Sequence, residues 1–357
     1  MTTAHINRIA TAVPTHDVHE AFLSFAPSLL GDDRRGSVFR RMAERSGIEH
    51  RYSSLAPAPD PSGATIDVEA FYTRGNFPDT AARMRAFEAR APALASAAIE
   101  RLDLASERSR ITHLLITSCT GFSAPGLDHQ LVAQCGLPSS IERTMIGFMG
   151  CYAAINALKL ARHVVRSEPQ AQVLVVNLEL CTLHLKETTD MEQILSFLLF
   201  GDGCAACLVT ADPQGIALES FRALVVPGTR DLITWHIREF GFDMGLSGQV
   251  PAAIEDALCT SVGEILKGAP VSSIDLWAVH PGGRTVLDAV ERAFDLSPMA
   301  LSASREVLRS YGNMSSATVM FVLRELMHKS NAIGARGCSM AFGPGLTAET
   351  MLFSRAA

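Results

Sequence analysis

The sequence predicts an α/β protein assembled from two similar halves. Three observations carry this prediction. Short apolar runs alternate with helix-patterned segments, a turn-rich stretch divides the chain near residue 215, and each side ends in a pair of strand-like runs.

Strands are expected at 113–118 (HLLITS), 172–180 (QVLVVNLEL), 204–210 (CAACLVT), 276–280 (LWAVH) and 337–342 (GCSMAF), runs apolar enough to be largely buried. Helices are expected over 79–102, 151–166, 251–267, 284–294 and 315–329. In 251–267, Pro251 suits the first turn, and Ile254, Leu258, Val262 and Ile265 recur at helical spacing, so one face meets the core. The stretch TADPQGIALE separates an N-terminal half, 1–215, from a C-terminal half, 216–357. Hairpin-like pairs close each half, 172–180 with 204–210 and 337–342 with 349–354. Residues 53–78 are crowded with turn formers and should make an irregular surface excursion.

Composition narrows the function. Of 357 residues, 48% are apolar and 19% charged, as expected of a soluble globular chain. The net charge of -6, without blocks of like charge, argues against a nucleic-acid partner. No basic-then-apolar leader opens the sequence and no apolar run approaches the roughly 20 residues of a membrane span, so the expected location is cytoplasmic. The eight cysteines are scattered, a pattern that favours buried thiols or a nucleophile over disulfides. Cys204 and Cys207 form a CxxC, but nothing nearby completes a metal set, and the run reads as a buried strand.

Three segments can carry chemistry. In MIGFMGCYAAINALKLAR, Cys151 stands where a helix begins, so the helix dipole favours thiolate; a structural core cysteine is the alternative. The helix itself reads as entirely apolar, hence buried, which places the thiol at the inner end of a pocket. In LWAVHPGGR, a buried strand delivers His280 to glycines that permit close backbone approach, although a satisfied core histidine fits equally. In SYGNMSSATVMFVLRELMHK, Asn313 is either a turn residue or a neutral donor to an oxyanion, with Ser315 or Ser316 capping the next helix. Together the three suit acyl transfer and decarboxylation. His280 would hold Cys151 as thiolate, and His280 with Asn313 would bind the carbonyl of a thioester whose enolate forms as carbon dioxide leaves.

With these motifs, the chain closely resembles the type III polyketide synthases, the chalcone synthase-like family. The specific pieces are GFMGCYAA, LFGDG (199–203), HPGG (280–283), YGNMSSA (311–317) and FGPGLTAET (342–350). The resemblance implies a five-layered αβαβα thiolase fold, a homodimer, a Cys151–His280–Asn313 triad and CoA thioesters as substrates, with no metal and no other cofactor. It places Arg41, Arg45, Gly282, Gly283 and Ser315 at CoA, although a third basic position of the tunnel mouth is Val38 here. Of the two phenylalanines that guard the plant enzymes' cavity, one matches Phe200 and the other is Met244. Ala124 replaces a methionine that reaches into the partner subunit, Cys119, Cys181 and His184 replace cavity threonines, and Trp235 replaces a glycine.

These departures resemble bacterial alkylresorcinol and alkylpyrone synthases and imply a fatty acyl-CoA starter extended by malonyl-CoA. Glu179 either joins a cyclisation network or is a structural buried acid, so pyrone and resorcinol both stay open. Two other readings compete. One is a ketoacyl-ACP synthase III-like enzyme, for which no basic docking patch is obvious. The other is an inactive thiolase-fold assembly partner, which three filled triad positions oppose.

Overall fold

The structure, a computed structural model, describes residues 2–329 and 332–356. The chain opens with β1 (His5–Ala12), the short β2 (His16–Asp17), and helices α1 (His19–Phe25) and α2 (Asp33–Ser46). From β3 (Tyr52–Ser53) an irregular stretch leads to the long α3 (Thr80–Arg101). Then come β4 (His113–Ser118), α4 (Leu127–Gln134), β5 (Glu142–Gly147), α5 (Ala153–Ser167), β6 (Val173–Leu180), α6 (Met191–Leu199) and β7 (Asp202–Thr210). Next are β8 (Ile216–Val225), a hairpin of β9 (Ile233–Arg238) and β10 (Gly241–Leu246), α7 (Val250–Ile265), β11 (Leu276–Val279) and α8 (Arg284–Ala293). The chain closes with α9 (Ser302–Tyr311), α10 (Thr318–Lys329), β12 (Arg336–Gly343) and β13 (Thr347–Arg355).

The strand order is β11-β12-β13-β8-β1-β7-β6-β4-β5. Two sheets meet in the middle of this order, because β1 and β8 pair only at His5–Ala217 and Ile6–Ile216. The closing hairpins form in register, β6 with β7 and β12 with β13, both antiparallel.

Strand alternation sorts side chains into separate cores and so builds five layers. Ala91, Ala95 and Ile99 of α3 cover Leu114, Ile116 and Leu174 on the outer face of the first sheet. In the middle, α5 and α10 share one core with Val175 and Val209 from one sheet and Ala341 and Phe353 from the other. On the far side, α7 and α8 bury Ile254, Leu258 and Leu287 against Val279, Met340 and Leu352. This is the αβαβα thiolase arrangement.

Two local expectations are corrected. The helix after Cys151 is not apolar all round: Lys159, Arg162 and Arg166 leave the core, and only one face is buried. Both central helices also start later than read, each after a three-residue 3-10 turn, Gly150–Tyr152 and Ser315–Ala317. The CxxC thiols are free and face opposite cores, Cys204 with the α3 layer and Cys207 with the α5 layer, so they cannot share a metal ion. Among the described residues, no helix is long and apolar enough to cross a membrane.

Candidate active site

Each triad candidate sits at the end of a buried element. Gly150 adopts φ +68, and a Cβ there would lie 2.2 Å from Pro344 Cδ, so only glycine lets the turn bring Cys151 to the head of α5. His280 follows β11, and its N–H continues the strand pairing by donating to Met340 O at 2.8 Å. Asn313 is anchored by its own N–H, which donates to Leu199 O at 2.8 Å. Its Oδ1 accepts from Ser315 N–H at 2.8 Å, while its Nδ2 donates to Gly282 O at 3.2 Å. Asn313 therefore caps its own turn, a role the sequence suggested for Ser315 or Ser316, and ties that turn to the loop after His280.

Cys151, His280 and Asn313 line one cavity of about 550 Å³, whose rim carries Met42, Arg45 and Arg284. Burial governs the electrostatics. It pushes the Cys151 thiol up to about 12, against contacts with the Ser315 and Asn313 side chains that act in the opposite sense. The helix head is outweighed, contrary to the expectation from the dipole alone. Burial also lowers His280 to about 3, and neither ring nitrogen has a hydrogen-bond partner. His280 and Cys151 do not hydrogen-bond to each other; Sγ–H instead points to Ser315 Oγ at 3.7 Å. Each group by itself is held neutral. Moving the proton from Sγ to imidazole creates an ion pair of zero net charge, a smaller desolvation problem than either lone ion.

A second, inner chamber shares Cys151 with the first. Its walls include Cys119, Cys181, His184, Phe200, Trp235 and Met244. Trp235 and Met244 face each other across the β9–β10 hairpin, and Trp235 Nε1 donates to Cys119 O at 2.8 Å. His184 is structurally committed. Its Nδ1 accepts from Phe242 N–H and its Nε2–H donates to Thr120 O, and burial lowers it to about 3.

Three predicted positions lie elsewhere, and a fourth, Ala124, is exposed on the chain surface, where a position directed at a partner subunit would stand. Glu179 is fully buried behind the chamber wall. Ser315, assigned to CoA, sits in the inner chamber beside Cys151. Arg41 is exposed on α2 and does not line the large cavity, whereas Arg45, Gly282 and Gly283 do.

Sequence reasoning missed a third cavity. It is lined by Phe22, Phe25, Leu55, Ile66 and Leu185, and it shares Cys181, Phe197 and Phe200 with the chamber around Cys151. The closely spaced Phe22 and Phe25 were the one local signal. Arg51, Arg284, Thr120 and Phe197 were also missed, because contacts distant in sequence give them their places.

A reactive-cysteine candidate at a central helix head, faced by histidine and asparagine from the opposite half of a thiolase fold, defines an acyl-transferring condensing enzyme. More particularly, the chain belongs to the chalcone and stilbene synthase family: the N-terminal domain model matches residues 4–213 and the C-terminal domain model residues 217–356. It is a type III polyketide synthase. Among similar proteins is the α-pyrone synthesis polyketide synthase-like Pks18 of Mycobacterium tuberculosis. It is 32% identical over 370 residues, covering 99% of this chain and 91% of that protein. The PKS-I structure from the brown alga Ectocarpus siliculosus superposes with a TM-score of 0.89 at 29% identity, covering 99% of both chains. The C-terminal type III domain of Steely1 from Dictyostelium shares the fold, with a TM-score of 0.90 at 24% identity over 99% of this chain and 100% of that one.

Proposed function

We propose that this enzyme loads a fatty acyl group from CoA onto Cys151, extends it with malonyl-CoA and releases an alkylpyrone. The observation that carries the proposal is the position of Cys151 between two kinds of space. On one side is a large cavity with Arg45 and Arg284 at its rim; on the other is the smaller chamber, which shares Cys181, Phe197 and Phe200 with the mostly apolar third cavity, so an alkyl chain on Cys151 would be directed that way. Cationic side chains at a rim suit the phosphates of CoA, and apolar walls suit an alkyl chain.

In the first step His280 takes the thiol proton, Cys151 Sγ attacks the acyl-CoA carbonyl, and CoA leaves as its thiol. Malonyl-CoA then enters the cavity, where the His280 ring and the Asn313 amide hold its thioester oxygen. Carbon dioxide departs, and the resulting enolate carbon attacks the acyl carbonyl, breaking the bond to Cys151.

A closed hydrogen-bond network favours the pyrone. The Thr120 hydroxyl donates to Glu179 and accepts from Leu180 N–H, and the Ser316 hydroxyl also donates to Glu179. These commitments oppose activation of a water to free the acid before an aldol closure. Lactonisation needs only an enol oxygen of the chain to displace the thioester, and the name of Pks18 points the same way. A cytoplasmic homodimer completes the reading. β5 leaves an edge of its sheet unpaired, with Met145 exposed, which suits contact between two copies.

The test is incubation with malonyl-CoA and a graded series of acyl-CoA starters, following protein and products by mass spectrometry. An acyl mass on Cys151 and pyrones with an optimum at long chains are expected. Absence of loading from every acyl-CoA sinks the mechanism, exclusive use of aromatic starters refutes the chain assignment, and resorcinols refute the mode of closure.

A further inference from the structure

The third cavity is not wholly apolar. Arg51 lines it among Phe22, Phe25, Leu55 and Phe197, and is only 2% exposed. Its Nη1 donates to Phe197 O at 2.9 Å and to Phe200 O at 2.6 Å, its Nε donates to His19 Nδ1 at 3.2 Å, and its guanidinium carbon lies 4.9 Å from the Phe22 ring centroid. These contacts give Arg51 a structural task, holding the end of α6 to the N-terminal segment. They leave Nη2 without a hydrogen-bond partner. Burial lowers the guanidinium only to about 10, so it stays charged at neutral pH. A buried charged donor that lacks an acceptor is unfavourable, and an acceptor brought in by a ligand would relieve it.

We infer that Arg51 binds an oxygen on the distal carbons of the starter's acyl chain, so that the preferred starters are hydroxy- or keto-fatty acyl thioesters rather than plain alkanoyl ones. This rests on the proposal that the acyl chain runs from Cys151 past Cys181. The second charged group of the cavity excludes one oxygenated class. Asp67 is 3% exposed, and its carboxylate accepts from Phe71 N–H at 3.0 Å and Tyr72 N–H at 2.7 Å. An ω-carboxylate would meet the Asp67 carboxyl group as well as Arg51, whereas a hydroxyl or ketone oxygen accepts from Nη2 without bringing a second carboxyl group into the cavity.

The experiment compares wild-type kcat/KM for even-numbered acyl-CoAs from hexanoyl to stearoyl, each as the plain, ω-hydroxy, ω-1-keto and ω-carboxy form. The hydroxy or keto form should exceed the plain one by about tenfold within a narrow window of chain length, the window in which the oxygen reaches Nη2. The carboxy form should fall below the plain one in that window. Arg51→Leu, checked for folding by circular dichroism, should erase the window. If that variant does not fold, the wild-type series still decides. Plain chains equal or superior at every length overturn the inference, as does a preference for the carboxy form. Failure of every chain to load Cys151 instead sinks the parent reading, and the intact-protein mass separates the two failures.

Discussion

Replacing Glu179 by Gln probes the buried network behind the nucleophile. Its carboxylate accepts from Cys119 N–H at 2.9 Å, from Thr120 Oγ at 2.9 Å and from Ser316 Oγ at 2.6 Å. Burial nevertheless dominates these bonds and raises the carboxyl from 4.5 to about 7. Because the folded value lies above the unfolded one, the fold favours the protonated acid. The stability this group contributes is complete below pH 4.5 and is lost as pH rises through about 7. At about 1.4 kcal/mol per pH unit, the loss amounts to about 3 kcal/mol. Glutamine does not titrate, so wild-type stability minus variant stability should decline by that amount across the interval. The amide is close in shape to the protonated acid, and any effect of its own is independent of pH and leaves the slope of the difference unchanged. Asp202, also raised by burial to about 6, is present in both chains and cancels in the difference. Urea unfolding of both proteins at stepped pH, followed by tryptophan fluorescence, measures the difference directly. A difference that stays flat between pH 4.5 and 8 would refute the claim that burial sets this carboxyl. Lactonisation does not use Glu179, so the variant's product should still be a pyrone.

Three further outcomes follow from the geometry. Cys181 lines both the chamber and the third cavity, so Cys181→Phe narrows both, and kcat/KM for long-chain starters should fall at least about tenfold relative to short ones in a competition assay. Arg284→Ala removes a cation from the cavity rim; KM for acyl-CoA should rise several-fold with kcat held, and its dependence on salt should flatten. Gly150→Ala forces φ +68 on a side chain whose Cβ would lie 2.2 Å from Pro344 Cδ, so a thermal melt should show a loss of about 2 kcal/mol or more together with loss of activity.

Much of the scaffold was legible because its strands are buried on both faces and read as unbroken apolar runs; β4 appears at the bounds expected, and β6 and β7 nearly so. Cys151, His280 and Asn313 were legible as residues at the ends of such elements. The hydrogen bonds around them were not. Asn313 spends its Oδ1 on Ser315 N–H and its Nδ2 on Gly282 O, and the second partner lies 31 residues away in sequence. The third cavity was invisible for the same reason. Phe22, Leu55, Leu185 and Phe197 have no shared pattern, and they become one wall only when α1, the irregular stretch before α3 and α6 pack together. The polarity of α5 was misjudged because the alanine-rich start of the segment hid the charged face that begins at Lys159.

The two central helices carry a consequence of a different kind. The turn before α5 packs against the turn before α10, so Cys151 and Asn313 ride on the ends of neighbouring rods. In the core that α5 shares with α10, Ala154, Ala157 and Ala161 are completely buried and repeat along one face of α5, so the seat of the helix that carries Cys151 has no slack. An added methyl there would shift nucleophile relative to amide, and misplacement by a fraction of an ångström slows chemistry long before it unfolds a protein. Ala154→Val or Ala157→Val should therefore slow turnover although neither residue lines a cavity, and a search for rate-determining positions confined to the cavity walls would pass them by.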